Sequence, residues 1–190
     1  MKTERYFIGD ACLCWSFGDE ISPEISGQVL SVFRSLNDKQ VKTRFGIRDL
    51  APSYNALAVY FDPATVSIKQ LIQRIEKEIE HVLKGDKSKG KGPDEAINVH
   101  TLPVLYTGED LERVADLNHL KVAEVIRLHQ APAYTVAMIG FQPHFPYLIG
   151  LDPRIETPRL DSPRTKVPLG SVAIGGAQTG IYPQESPGGW

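Results

Sequence analysis

Cysteine is scarce: the 190 residues contain two, Cys12 and Cys14. They stand two apart in "DACLCWSF", an alternating run that reads as a strand. Side chains at i and i+2 share a strand face but lie too far apart for a relaxed disulfide. The pair therefore reads as two buried or half-buried thiols, and the protein as a resident of the reducing cytoplasm. Two cysteines without well-placed histidines are too few for a zinc site, so no metal is expected. Charge of one sign is also lacking. With 21 Lys and Arg against 23 Asp and Glu, the net charge is −2, and no basic stripe offers itself to nucleic acid. No apolar run approaches the length of a membrane span, and the start "MKTERYFIGD" has no apolar core of a secretory leader.

What is present is an ordinary globular composition, 42% hydrophobic, with a clear order of elements. "RYFIG" and "ACLCWSF" are strand-like, and alternation puts Ala11, Leu13, Trp15 and Phe17 on one face. Ser22 and Pro23 open a helix whose stripe is Ile25, Val29, Val32, Phe33 and Leu36, and Asn37 and Asp38 end it. "RFGIRDLAPSYNALAVYFD" reads as two strands joined at "APSYN". Ser67 then caps a helix with Ile68, Leu71, Ile72, Ile75, Ile79 and Val82 inward. Strands, helix, two strands, helix make up most of a split β-α-β, ferredoxin-like unit.

A linker follows. Lys84–Pro93 holds four Lys, three Gly and one Pro, a solvated basic tract. Within it Gly85–Lys91 spells G-x-x-x-x-G-K. The next residue is Gly92, not the Ser or Thr a phosphate-binding loop requires, and a helix precedes it where a strand is needed. The linker divides the chain into an N-terminal domain over residues 1–92 and a second over 93–190. In the second, "AINVHTLPVLY" is a strand candidate, "GEDLERVADLNHL" and "KVAEVIRLHQ" are short helices, and "AYTVAMIGF" is a strand. The texture changes at Gly140: eight of the 14 Pro and eight of the 16 Gly lie in Gly140–Trp190. Only "GSVAIGG" reads clearly as a strand there, and no helix fits. That is the composition of a small β-barrel or sandwich with long, ordered connections, so the chain as a whole is α+β.

Several residues there could carry chemistry. In "TPRLDSPRTKVPLGS", Pro158, Pro163 and Pro168 recur every five residues and stiffen an arm presenting Arg159 and Arg164. These form either a clamp for carboxylate or phosphate or two solvated arginines. "GGAQTGIYPQESPGGW" offers glycines for close backbone approach, with Gln178, Thr179 and Tyr182 as neutral donors and acceptors; tight turns between strands are the other reading. Of five histidines, His81 sits on the polar side of its helix, and His100 and His119 have no partner by spacing. His129 ends a short apolar helix, where a structural or a catalytic role is open. His144 lies in "GFQPHFPYLIG", a loop with unusual apolar area and unusual proline content. Ser171 lacks the G-x-S-x-G setting of an activated nucleophile.

"GFQPHFPYLIGLD", "PRLDSPRTKVPLGSVAIGGAQTGIYP" and "SPGGW" together resemble the family of 5-oxoprolinase B subunits, also called allophanate hydrolase subunit 1 or the Kip-type sporulation kinase inhibitor family. "IGDACLCWSFGDEISPEI", "RDLAPSYNALAVYFDP" and the run from Leu102 to Phe141 extend the resemblance over nearly the whole chain. It implies a ferredoxin-like N-terminal domain followed by a cyclophilin-like β-barrel. It implies partners, a homologous C subunit and an A subunit of the same 5-oxoprolinase complex. In that complex it implies an ATP-dependent opening of 5-oxo-L-proline to L-glutamate. Two branches stay open beside it: inhibition of a sensor histidine kinase, and carboxyl transfer in a protein related to urea carboxylase. On this reading His129, Arg159 and Arg164 serve the chemistry. Phe141, Phe145, Tyr147, Ser171, Gln178 and Tyr182 contact the substrate, with the aromatic loop as a rigid wall. Two departures stand out. The family usually has Gly where this chain has His144, which implies a left-handed backbone there. Members usually continue past "PGGW", so the barrel is expected to be truncated at Trp190.

Overall fold

The computed structural model describes residues 3–84 and 98–190. The chain divides into two compact units, Met1–Val99 and His100–Trp190. The G-x-x-x-x-G-K segment lies outside the described residues. So does the 92/93 boundary.

The N-terminal unit is a four-stranded antiparallel sheet with helices. Strands β1 (Glu4–Phe7), β2 (Cys12–Ser16), β3 (Ile47–Pro52) and β4 (Ala56–Phe61) lie in the order β1-β2-β4-β3. Since β4 is antiparallel to both β2 and β3, those two run parallel, joined through helix with β4 between them. Helix α1 (Pro23–Leu36) starts where the Ser22 hydroxyl accepts the Ile25 N–H at 3.2 Å, a true N-cap followed by proline. Its Val29, Val32 and Leu36 are buried with Leu71, Ile75 and Ile79 of α3 (Ile68–Leu83) against Leu13, Trp15, Leu57, Val59 and Phe61 of the sheet. Cys12 and Cys14 are buried and unbridged.

Two expectations change here. The first helix does end at Leu36, with Asn37 as its C-cap, but Asp38 does more than follow that end. It starts a second helix, α2 (Lys39–Phe45), by accepting the Gln40 and Val41 N–H groups. An Asp after a helical stripe reads as a stop or a start with equal ease, because its carboxylate serves either end's neighbourhood through the same local bonds. Consequently Arg44 and Phe45 are helical, and β3 begins only after Gly46, whose φ of 73° closes α2 in the left-handed region. Ser67 stands at the N-cap of α3 but makes no side-chain capping bond.

The C-terminal unit pairs two helices, α4 (Leu111–Leu117) and α5 (Val122–Gln130), with two antiparallel sheets. The larger has the order β5 (Thr135–Ile139), β6 (Pro146–Ile149), β9 (Gln178–Ile181), β8 (Val172–Gly175). The smaller is β7 (Arg164–Val167) with β10 (Ser186–Gly188). Among the described residues the larger sheet has free edges at β5 and β8 and does not close into a barrel. Five of these strands fall after Gly140, where one was expected. Each has only three or four residues, too short for alternation to show through the prolines and glycines. Residues 98–106 of the expected strand "AINVHTLPVLY" form no strand; Val99 and Leu105 are 79% and 83% exposed. His144 has φ 67°, as its place at a family glycine implied.

Two stability measurements follow. Ile75 is fully buried between α3 and the sheet, so Ile75→Ala should lower unfolding free energy by about 2–5 kcal/mol in a urea titration. His144→Gly removes a left-handed strain of about 1–2 kcal/mol against a larger unfolded-state entropy of about 0.5–1 kcal/mol. The variant should be as stable as the parent or slightly more so; a clear loss would mean the His144 side chain contributes contacts that outweigh its backbone.

Candidate functional site

The site is built on the last turn of α5. Its amphipathic face buries Val125 and Leu128 beside Ile155, and that packing carries His129 inward until it is 7% exposed. Both ring nitrogens have partners: the Tyr106 hydroxyl stands 2.8 Å from Nδ1, and the Thr179 hydroxyl oxygen 3.1 Å from Nε2. Thr179 decides the proton positions. Its hydroxyl donates to the Ala173 carbonyl at 2.9 Å, so its oxygen accepts from His129. The proton therefore sits on Nε2, Nδ1 is the acceptor, and Tyr106 donates. Tyr134 fixes the backbone behind the ring by donating to the His129 carbonyl at 2.6 Å.

Burial disfavours charge at every point of this chain. It lowers the His129 pKa and raises that of Tyr106. Tyr134 is pushed up to about 12, first by burial and then by Tyr106 and Asp152. The resting state is thus a neutral imidazole behind a protonated phenol. Tyr106 and His129 line a cleft of about 590 Å³, together with Arg113, Arg164, Ser171 and Trp190.

Arg164, on β7, is heavily engaged. Its two terminal nitrogens donate to Asp110 at 2.6 and 2.9 Å in a fork-on-fork pair, and its Nε stands 2.9 Å from Glu109. This geometry fixes the cleft mouth, because both acids precede α4 while the arginine sits on the sheet.

A second hollow, of about 150 Å³, shares Trp190 with the cleft and is walled by Phe141, Phe145, Tyr147, Arg159 and Tyr182. Phe145 is its centre, edge-on to Tyr147, Tyr182 and Trp190 at 5.0, 5.2 and 5.9 Å between ring centroids. Glycine makes this possible: a Cβ on Gly180 would come within 2.7 Å of Phe145, and one on Gly175 within 2.5 Å of Trp190. Arg159 lies over the Trp190 ring at 5.4 Å, a cation on a π face.

The structure therefore brings His129, Arg164 and Ser171 to one cleft, and Arg159 with Phe141, Phe145, Tyr147 and Tyr182 to the other hollow. Gln178 is buried on β9 and belongs to neither lining. The two arginines thus line different hollows. Tyr106, Asp110 and Arg113 are the residues the motifs did not single out. Thr179, inside the glycine-rich string, is one of the neutral donors and acceptors the sequence offers, and the structure supplies its partner. Among the described residues no cluster of His, Cys, Asp or Glu could hold a metal ion, and no helix is long and apolar enough to cross a membrane.

His129 gives a pH signature. In the unfolded chain it titrates near 6.5; folded, it resists protonation. Between those values the unfolded chain binds the proton more readily, so this contribution to stability is present above about 6.5 and lost as pH falls through the folded value. Tyr106, Tyr134 and Thr179, which face the ring, stay neutral in that window. The stability gap between the parent and His129→Gln should shrink as pH falls from neutrality to about 5 in urea titrations; parallel curves would rule out a neutral buried imidazole.

Comparison with known proteins gives this arrangement its context. The family model "Carboxyltransferase domain, subdomain C and D" matches residues 3–190. The 5-oxoprolinase B subunit of Bacillus subtilis (strain 168) is 37% identical over 198 residues, covering 99% of this chain and 81% of that protein. The 5-oxoprolinase B subunit of Haemophilus influenzae is 43% identical over 155 residues, covering 80% of this chain and 68% of that protein. The crystal structure of TTHA0988 matches with a TM-score of 0.75 at 32% identity, over 95% of this chain; the chain spans 33% of its length. The urea carboxylase of Kluyveromyces lactis is alike in fold, with a TM-score of 0.68 at 18% identity over 99% of this chain and 18% of that one. With a family model spanning nearly every residue and a relative of 37% identity across 99% of the chain, the chain belongs to the carboxyltransferase subdomain C and D family, the one that includes the 5-oxoprolinase B subunits.

Proposed function

We propose that this chain is one component of an ATP-dependent complex that opens 5-oxo-L-proline to L-glutamate, and that the Tyr106–His129 cleft receives the lactam. The observation that carries the reading is the hydrogen-bond chain from Tyr106 through His129 to Thr179, read beside relatives named as 5-oxoprolinase B subunits.

An unstrained lactam resists hydrolysis, because amide resonance makes its carbonyl a poor electrophile and its nitrogen a poor leaving group. Opening it requires a proton to leave the attacking water and another to reach the departing nitrogen. The relay is set to accept first. As water adds to the carbonyl carbon, its proton passes to the Tyr106 oxygen while the phenol's own proton moves to Nδ1 of His129. The C–N bond then breaks, and the proton returns through Tyr106 to the nitrogen, leaving carboxylic acid and amine. Burial makes the imidazolium short-lived, which favours the return step. Ser171, on the same wall, is placed to hold the lactam oxygen or the water. Arg164 braces the mouth through Asp110.

In the complex, bound ATP would supply the activation of the amide. A triphosphate needs concentrated donors, and the Arg164 guanidinium is already committed to Asp110 and Glu109. Arg164 is thus not free for that group, and we assign nucleotide binding to the A subunit. Phe141, 62% exposed at the rim of the aromatic hollow, with Phe145, Tyr147, Arg159 and Tyr182 behind it, is assigned to the seam with the C subunit. We read the N-terminal unit as ferredoxin-like, supported by β4 lying between the parallel β2 and β3. The C-terminal unit is read as cyclophilin-like, supported by its two antiparallel sheets, which among the described residues do not close into a barrel. The free, buried thiols of Cys12 and Cys14 support a cytoplasmic setting.

Mixing the purified chain with its cognate A and C subunits, ATP and 5-oxo-L-proline should release glutamate. Omitting any component should stop it, and His129→Ala should slow it by about 10²–10⁴-fold. Turnover by this chain alone would remove the dependence on partners. A complete mixture that releases no glutamate would end the oxoprolinase reading.

A further inference from the structure

Two arginines line the cleft, Arg113 and Arg164, and they are not equivalent. The Arg164 guanidinium is engaged by two acids: its terminal nitrogens donate to Asp110, and its Nε is ion-paired with Glu109 at 2.9 Å. An anion arriving there would have to displace a carboxylate that is already in bidentate register, and would itself be repelled by the one it displaced. Arg113, on α4, is half-buried in the cleft wall and has neither an ion pair nor a hydrogen bond among the described residues. A long cationic side chain held partly out of water has lost some hydration and gained no partner in return. It is the cleft's uncommitted donor.

We propose that Arg113 is the anchor for the carboxylate of the substrate and sets the cleft's selectivity for a monoanion. This rests on the proposed function for the identity of the ligand, and on the cleft's own geometry for its charge. Glu109, Asp110, Arg113 and Arg164 all line the cleft, two acids and two bases, with a formal sum of zero. Arg164 is neutralised by Asp110, and Glu109, which pairs with its Nε, has a side chain 75% exposed. One carboxylate therefore finds one free guanidinium, and a second negative group on the same ligand would meet Glu109 and Asp110. A cyclic amide bearing a single carboxylate has the matching charge. It places its anionic end on Arg113 and leaves its neutral carbonyl for the phenol of Tyr106. Arg113 is a positioning and binding residue in this scheme, not a proton-transfer group.

The test uses the reconstituted complex and the carboxamide of 5-oxoproline, which lacks only the charge. In Arg113→Gln, KM for 5-oxo-L-proline should rise about tenfold or more, the range expected when a charge-assisted hydrogen bond is lost. kcat should stay within about threefold, and KM for the carboxamide should be unchanged; Arg113→Lys should recover part of the loss. A variant that keeps the parent's preference for carboxylate over carboxamide overturns the proposal. A second measurement is independent of turnover. Trp190 lines the cleft, whereas Trp15 is buried in the N-terminal core, so titration of the chain alone with 5-oxo-L-proline should give a saturable fluorescence change that Arg113→Gln abolishes. If the complex opens no lactam but this change is present and Arg113-dependent, the oxoprolinase reading falls and the anchor stands. If the parent chain shows no saturable change, the anchor falls.

Discussion

The register of β9 is the constraint on which both hollows depend. Successive residues of a strand point to opposite faces. On β9 Thr179 reaches His129 while Gly180 lies beneath the Phe145 ring. A slip of one residue would exchange these faces. It would set Gly180 against the imidazole and drive the Ile181 side chain into the aromatic cluster. Pairing with β8 on one side and β6 on the other holds the register, with Ile174 opposite Thr179 and Tyr147 opposite Gly180. The same pairing brings the Ala173 carbonyl to the Thr179 hydroxyl, and that bond dictates where the His129 proton resides. The protonation state of the candidate site is thus a consequence of strand alignment, with no charged neighbour needed to set it.

Packing in the C-terminal unit follows from the same economy of side chains. Its rings are large and its strands short, so room for Phe145, Tyr182 and Trp190 comes from glycines on the facing strands. Gly188 lies so close against Tyr182 that any Cβ there would collide with the phenol oxygen. The proline- and glycine-rich texture after Gly140 is therefore the mark of strands pressed against aromatic rings. It is not the mark of open loops, and the apolar segment at Phe141–Ile149 turns inward at Phe145, 2% exposed, and again at Ile149, 5% exposed.

How much of this was legible depended on the length over which a pattern could repeat. The sixteen residues of α3 and the fourteen of α1 allow several turns of periodicity, and their buried stripes are those the sequence predicts. The strands after Gly140 run three or four residues, less than two alternations. In α2, seven residues long, a start signal at Asp38 was indistinguishable from a stop. His129 was visible as a candidate because it ends an apolar stripe, but its partners come from 23 and 50 residues away, distances no local motif encodes. Tyr106 ends a stretch that looks like a strand, and the described residues of that stretch, 98–106, form none. Arg164 was conspicuous for its prolines, yet the acids that occupy it lie 54 and 55 positions earlier.

That last point bears on how arginines are assigned in clefts. A guanidinium flanked by prolines announces a fixed donor, and the structure agrees that Arg164 is fixed. Fixation and availability are different properties. A donor held by a bidentate carboxylate has its geometry because it has its partner, and binding a second anion there requires breaking the contact that positioned it. The opposite holds for Arg113, whose helix gives it a place on the wall without a counter-ion. If anion recognition occurs in this cleft, electrostatics favours the arginine whose pairing is unmet, since it gains an attraction without losing one. The cleft then has a division of labour. Arg164 with Asp110 maintains its mouth, Arg113 supplies its free positive charge, and the neutral Tyr106–His129 pair handles protons at a site that neither arginine ionises.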